Sequence, residues 1–237
     1  MRRTIFTSGL PNVATNYLLE HGFNVVLGAH SQEQADAMTN KVPEAYREQY
    51  MAFFQQEETM GEKLREIEDR FGGLHAVVQG IGILENGSFQ ETSPEEFEKI
   101  VASHIYGVYR TIKSCLPTLL KYPAPRIINF TCIEGKCGKF DWGVGSAVGK
   151  GALVALTRVI ALEYAGIGLT ANCIAIGAMR TLKERSPERI RELEQQIPVG
   201  RIAEASDIGP VIEFLAGEAS GYITGDVINV SGGAYMD

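Results

Sequence analysis

Short apolar runs recur along the chain and predict the strands of a parallel sheet. They are nearly continuous and rich in β-branched residues, which is typical of strands buried on both faces. Segments with helix-start signals separate them, so strand and helix alternate over the whole length. We therefore predict one doubly wound α/β domain, residues 1–237, with about seven parallel strands flanked by helices. The runs are Thr4–Thr7, Asn24–Leu27, Tyr50–Phe54, Ala76–Val78, Arg126–Phe130, Ala171–Ile176 and Asp226–Val230.

Capping residues mark where several helices between these runs begin. Thr59 with Glu62 and Ser93 with Glu96 have the spacing of capping boxes, and a proline follows Ser93 at the first helical position. Ser186 and the proline after it predict another start of the same kind. From residue 146 to 164 one apolar helical face is marked by Leu153, Leu156 and Ile160.

Charge and cysteine content exclude several classes of protein. The chain has 29 acidic and 22 basic residues, a formal charge of −7, which argues against a nucleic-acid-binding surface. No apolar run approaches the ~20 residues of a membrane span. The four cysteines are too scattered for a disulfide scaffold or a zinc site, so we expect reduced thiols, no metal and a cytoplasmic protein.

The first strand-to-helix turn is where this fold would hold a phosphate. Dinucleotide-binding turns use several glycines for a tight turn and close approach of the phosphate. This turn has only Gly9, followed by Asn12 and Val13. We interpret it as an ordinary turn, although its backbone N–H groups could still bind phosphate whatever the side chains are.

The C-terminal part resembles the short-chain dehydrogenase/reductase family, and most closely its β-ketoacyl-carrier-protein reductases. The resemblance rests on Gly200–Glu204, on the tail Tyr222–Gly233, and on Lys150 to Glu163, which is similar to the family's active-site helix. It implies a Rossmann-type domain and an NAD(P)-dependent reductase. The positions that it assigns to the cofactor are Ser8, Gly9, Asn12, Val13, Gly80, Lys150, Met179 and Thr181.

The chain departs from the family at most of the positions that carry its chemistry. Three glycines of the first loop fall on Ser8, Asn12 and Ala14, and no acid stands at Phe53–Gln55, where the family holds the adenine ring. The catalytic Tyr, Ser and helix Asn of the family fall on other residue types, and only the Lys is kept. Ser146 stands at the position of the Tyr, Cys132 at that of the Ser and His104 at that of the Asn. Lys150 is the retained Lys.

Loss of the tyrosine removes the family's proton donor. A phenol has a pKa near 10, which a neighbouring ammonium lowers towards working pH. Ser146 is a much weaker acid and too short to reach the same oxygen. Positioned acid–base catalysis is typically worth about 10²–10⁴ in rate, so conventional carbonyl reduction should be lost.

Cys132 has two interpretations. A thiol at a strand end near Lys150 could be a low-pKa nucleophile with His104 as its base. Alternatively, it is a small buried residue that replaces a serine of similar size, and we favour this interpretation.

Three functional hypotheses follow. The first is a non-catalytic or substrate-binding subunit, in a homodimer, homotetramer or hetero-oligomer with an active reductase, without a cofactor. The second is an atypical NAD(P)-dependent ketoacyl or enoyl reductase with a substitute proton donor. The third is a cofactor-independent enzyme that uses Cys132 and Lys150. Substrates would be small molecules or acyl carriers, and assembly would use helices near 144–165 and 104–121 and the tail Tyr222–Met236.

Overall fold

The sheet predicted from the apolar runs is present. The computed structural model describes residues 2–8, 14–80, 87–138, 143–180 and 185–237. Its seven strands lie in the order β3-β2-β1-β4-β5-β6-β7, and all neighbouring pairs are parallel. This confirms the doubly wound α/β fold. The strands are β1 (Thr4–Ser8), β2 (Asn24–Ala29), β3 (Tyr50–Phe54), β4 (Ala76–Gln79), β5 (Arg126–Cys132), β6 (Thr170–Ile176) and β7 (Val227–Val230).

Helices connect the strands and cover both faces of the sheet. The predicted helix near 144–165 is present, and the predicted helix near 104–121 begins earlier, at residue 94. Short 3-10 helices also occur at Glu44–Gln49 and Ala165–Ile167. The α-helices of the described residues are α1 (Thr15–Glu20), α2 (Gln32–Lys41), α3 (Met60–Phe71), α4 (Pro94–Leu119), α5 (Glu134–Cys137), α6 (Val144–Tyr164), α7 (Pro187–Gln196) and α8 (Ala205–Ala216).

The hydrophobic core lies in two layers, one on each face of the sheet. On one face, Leu18 of α1 and Ile208 of α8 pack with strand residues. On the other, Ile67 of α3, Ile112 of α4 and Leu153 of α6 do the same. Each such side chain stabilises the fold by about 1.5–3 kcal/mol when fully buried. Packing on both faces of the sheet therefore fixes the positions of the strand ends.

Two of the three predicted helix starts are capped by a side chain. The Ser93 hydroxyl accepts the N–H of Glu96, and the Ser186 hydroxyl accepts the N–H of Arg189. The capping box predicted at Thr59 is wrong. Helix α3 does start after Thr59, but the backbone of this residue is already helical, so its hydroxyl does not reach the N–H groups of the first turn.

Helix α6 continues into the following 3-10 helix as one apolar segment, Val144–Ile167. By length and composition alone this segment could cross a membrane, so the expectation that no apolar run approaches that length is wrong. Half of its most apolar stretch is buried inside the fold, as is typical of a core helix that packs on a sheet.

Candidate functional site

The carboxyl ends of β1 and β4 meet where the strand order reverses, which is where open α/β sheets bind ligands. The sheet continues from β1 to β2 and β3 in one direction, and from β4 to β5, β6 and β7 in the other. Ser8 ends β1, Gln79 ends β4 and Cys132 ends β5. The candidate site therefore lies along this edge.

The ammonium group of Lys150 is buried and held by main-chain oxygens. Its Nζ donates to the carbonyl oxygen of Gly80, just after β4, and at 3.2 Å to that of Phe130 in β5. Burial lowers the pKa of Lys150 to about 8, while nearby thiols and Glu134 act in the opposite direction. This lysine therefore ties α6 to two strand ends.

Cys132 is a buried thiol beside a buried carboxylate. The residue is 7% exposed, and Glu134 of α5 is 3% exposed. Burial, followed by the negative charge of Glu134, raises the pKa of Cys132, and Lys150 opposes this only in part. The nearness of the Glu134 side chain thus favours the neutral thiol. These contacts support the interpretation of Cys132 as a small buried residue.

Ser146 and His104 lie in the same buried region. Neither has exposed surface. A Cβ atom added to Gly149 would lie 2.8 Å from the Cβ atom of His104, so α4 and α6 are in close contact at the residue before Lys150. The structure thus brings together the four predicted reactive positions, and it places all of them under the surface.

The predicted cofactor positions are divided between the site and the core. The Ser8 hydroxyl lies at the strand edge, and the Gly80 carbonyl accepts the Lys150 ammonium. Met179 is fully buried in the core layer beside α1 and α8. The remaining predicted positions lie outside the described residues: Gly9, Asn12, Val13 and Thr181.

A cavity of about 250 Å³ opens at the same edge, between the ends of β1, β3 and β4 and helix α4. The side chain of Gln55 crosses this region. The Ser8 Oγ donates to its Oε1 at 2.6 Å, and its Nε2 donates to the Thr111 Oγ1 at 2.7 Å. Glu57 and Arg110 form an exposed ion pair at 3.6 Å on the cavity lining.

Sequence reasoning assigned no role to Glu134 and saw in Gln55 only a missing acid. A signal for Glu134 was present, because a charged residue directly follows a buried strand and precedes Gly135. A Cβ atom at Gly135 would lie 2.9 Å from the backbone N of Gly151, so this turn packs closely on α6. The side chain of Glu134, which precedes this glycine, is accordingly buried beside Cys132.

The buried ammonium predicts a pH dependence of stability. The folded-state pKa of Lys150 is about 8, below its ordinary value of 10.5, so between these pH values the unfolded chain binds more protons. Stability therefore rises with pH across this window. Relative to Lys150→Met, the wild type should gain about 2 kcal/mol in free energy of unfolding between pH 7 and pH 9.5, measured by urea denaturation.

The control for this measurement is Lys41→Met, which removes an exposed lysine at the end of α2. Its difference from the wild type, followed over the same pH range, gives the background for the comparison. A constant difference for Lys150→Met would contradict the burial of the ammonium described above.

Cysteine reactivity distinguishes the two interpretations of Cys132. Burial raises the pKa of all four thiols, but Cys137 is exposed to solvent, whereas Cys115, Cys132 and Cys173 are buried. Brief iodoacetamide treatment near neutral pH should therefore alkylate Cys137 roughly tenfold faster than the other three, as read by mass spectrometry. Rapid labelling of Cys132 that slows in Lys150→Met would instead indicate a nucleophile.

The doubly wound parallel sheet, with its ligand edge at the strand reversal, places the chain in the class of Rossmann-type folds. Residues 7–235 match the family model described as enoyl-(acyl carrier protein) reductase. The chain belongs to this family, a branch of the short-chain dehydrogenases/reductases.

Similar proteins of known description agree with this assignment. The 3-oxoacyl-acyl-carrier-protein reductase FabG of Staphylococcus epidermidis is 29% identical over 225 residues, 92% of this chain and 91% of that protein. The FabG protein of Vibrio cholerae is 30% identical over 175 residues, 73% and 71% of the two chains. A short-chain dehydrogenase/reductase from Brucella melitensis, described as a glucose/ribitol dehydrogenase, shares the fold with a TM-score of 0.86, 24% identity and full coverage of both chains.

Proposed function

We propose that this member of the reductase family has lost phenol-assisted hydride transfer and acts as a binding subunit, alone or beside an active reductase. The observation that carries this proposal is the state of Lys150, whose ammonium is engaged by the Gly80 and Phe130 carbonyls under the surface. At the tyrosine position, Ser146 is fully buried and offers an alcohol in place of a phenol.

The residues at the reactive end do not fit a nicotinamide nucleotide used for hydride transfer. Such a use needs an accessible acid and an ammonium free to contact the ligand. Ser146 and Lys150 supply neither, and the Cys132 thiol is buried beside Glu134, which raises its pKa. We therefore propose that the chain works without NAD(P).

A second candidate is a reductase that uses a substitute proton donor. It is favoured by the pKa of Lys150, because an amine with a pKa of about 8 exchanges protons near neutral pH. The curated relatives described above are reductases of acyl-carrier substrates, which agrees with this candidate. A cofactor-independent enzyme using Cys132 and Lys150 is less well supported, because burial raises the pKa of the thiol.

NADPH and NADH oxidation test the proposal. The purified protein is assayed with a β-ketoacyl thioester and with an enoyl thioester, and an active family reductase serves as the positive control. We expect no oxidation above the rate without protein. Substrate-dependent oxidation that disappears in Lys150→Met would establish the second candidate.

We further propose that the chain forms an oligomer, either with copies of itself or with an active reductase. We place it in the cytoplasm, without nucleic-acid or membrane partners. Helix α6 carries an apolar stripe with spacings of four and three residues, in which Ala152 is half-buried and the other four are exposed: Val148, Ala152, Ala155, Val159 and Leu162. The adjacent α4 exposes Tyr106 and Tyr109. Exposed apolar side chains grouped in this way are typical of subunit contacts.

Charges placed on this stripe should weaken assembly. The double variant Val159→Glu, Leu162→Glu is expected to raise the dissociation constant by roughly a hundredfold or more, because two carboxylates would be buried without partners. Light scattering over a dilution series measures it. Phe89→Glu is the control, since Phe89 is 86% exposed and Leu162 is 85% exposed. A wild type that is monomeric at all concentrations would contradict the oligomer.

A further inference from the structure

The amide of Gln55 is fixed at both of its polar atoms. The residue directly follows β3, and its N–H donates to the Ala29 carbonyl at 2.9 Å, which sets its backbone beside β2. Its Oε1 accepts from Ser8, and its Nε2 donates to Thr111. The Thr111 hydroxyl in turn donates to the Gly107 carbonyl at 2.8 Å, so the far end of the bridge is fixed to α4.

This bridge lies directly over the end of β2. A Cβ atom added to Gly28 would be 2.4 Å from the Gln55 Oε1, so only a glycine leaves room for the amide there. The side chain therefore runs from β1 to α4 across the carboxyl ends of β1 and β2. The cavity that remains is about 250 Å³, below the 300–1,000 Å³ of ordinary ligand pockets.

A dinucleotide in a doubly wound sheet crosses the strand ends at the reversal point, with its pyrophosphate at the first strand-to-helix turn. In such folds the ribose of one nucleoside is held by a residue about 20 positions after this turn, which here is the end of β2. That nucleoside would therefore lie beside the Gln55 amide. An amide whose oxygen and nitrogen already have protein partners is also a poor hydrogen-bonding edge for an incoming base.

We propose that Gln55 is a specificity-determining residue that excludes the adenosine half of a dinucleotide from this edge. The inference rests on the proposed function, since it names the side chain that keeps the site free of nucleotide. It concerns adenosine binding only, whereas the proposed function concerns hydride transfer.

AMP is the probe, because it tests the adenosine half without the nicotinamide half. Calorimetric titration compares the wild type with Gln55→Ala, Thr111→Val and Gln56→Ala. We expect Gln55→Ala to bind AMP roughly tenfold tighter or more, and Thr111→Val to show a smaller gain because it frees only the Nε2 end. Gln56 lines the same cavity, so Gln56→Ala is the matched control and should bind as the wild type does.

Equal AMP affinity in Gln55→Ala and the wild type would overturn the proposal. Should Gln55→Ala fail to fold by circular dichroism, Thr111→Val and Ser8→Ala decide in its place, and no gain in either overturns it as well. NADPH oxidation is read in parallel with a β-ketoacyl thioester. Turnover by the wild type would contradict both the proposed function and the exclusion of adenosine, whereas equal AMP affinities without turnover would contradict only the role of Gln55.

Discussion

Gly80→Ala is expected to destabilise the protein by about 3 kcal/mol or more, because two independent constraints act on this residue. Its φ is +127°, a backbone conformation that alanine rarely adopts. A Cβ atom there would also lie 2.6 Å from the Phe130 carbonyl oxygen, a backbone atom of the neighbouring strand. Relief of this overlap would displace the Gly80 carbonyl that accepts the Lys150 ammonium.

Urea denaturation at pH 7 measures this effect against a matched glycine. Gly61 lies in the first turn of α3, and a Cβ atom added to it would contact nothing within 4 Å. Gly61→Ala should therefore be neutral or stabilising by up to about 1 kcal/mol. A Gly80→Ala variant as stable as Gly61→Ala would show that the close approach of β4 to β5 is wrong.

Ser146→Tyr, which rebuilds the missing phenol four residues before Lys150, is expected to restore no carbonyl reduction with NADPH. Ser146 has no exposed surface, so a phenol there would overpack its buried surroundings. Overpacking of a buried site typically costs about 1–3 kcal/mol. The Lys150 ammonium also donates to two main-chain carbonyls, so it is committed to protein partners and not to a ligand.

Turnover should require repair of the first turn as well. The combination of Ser146→Tyr with Ser8→Gly, Asn12→Gly and Ala14→Gly restores the glycines that let a pyrophosphate approach. The assay follows NADPH oxidation with a β-ketoacyl thioester in the single, triple and quadruple variants. Measurable turnover by Ser146→Tyr alone would indicate an intact nucleotide pocket and favour a reductase with a substitute acid.

The fold could be predicted because its signals are local. Runs such as Ala171–Ile176 are apolar at every position except Asn172, as is typical of strands covered on both faces, and the structure places β6 at Thr170–Ile176. The predicted ends of the strands were less accurate. Strand β5 extends to Cys132, two residues past the predicted run, because it continues to pair with β6 after Phe130.

The site could be predicted only as a set of positions. The resemblance located Lys150 and Cys132, but the direction of each side chain depends on distant partners. Lys150 meets the Gly80 carbonyl from 70 residues earlier in the chain, and Gln55 bridges Ser8 and Thr111, which are 47 and 56 residues away. No local pattern specifies such contacts, so the inward orientation of the lysine and the Gln55 bridge emerged only from the structure.

We propose that the chain has lost hydride transfer. Transfer of an isotope from NADPH to product tests this loss most directly. The protein is incubated with NADPH deuterated at the transferable position and a β-ketoacyl thioester, and the hydroxyacyl product is analysed by mass spectrometry. We expect no deuterium in the hydroxyacyl product above the level seen with Lys150→Met. Deuterium incorporation by the wild type that Lys150→Met abolishes would contradict the proposed loss.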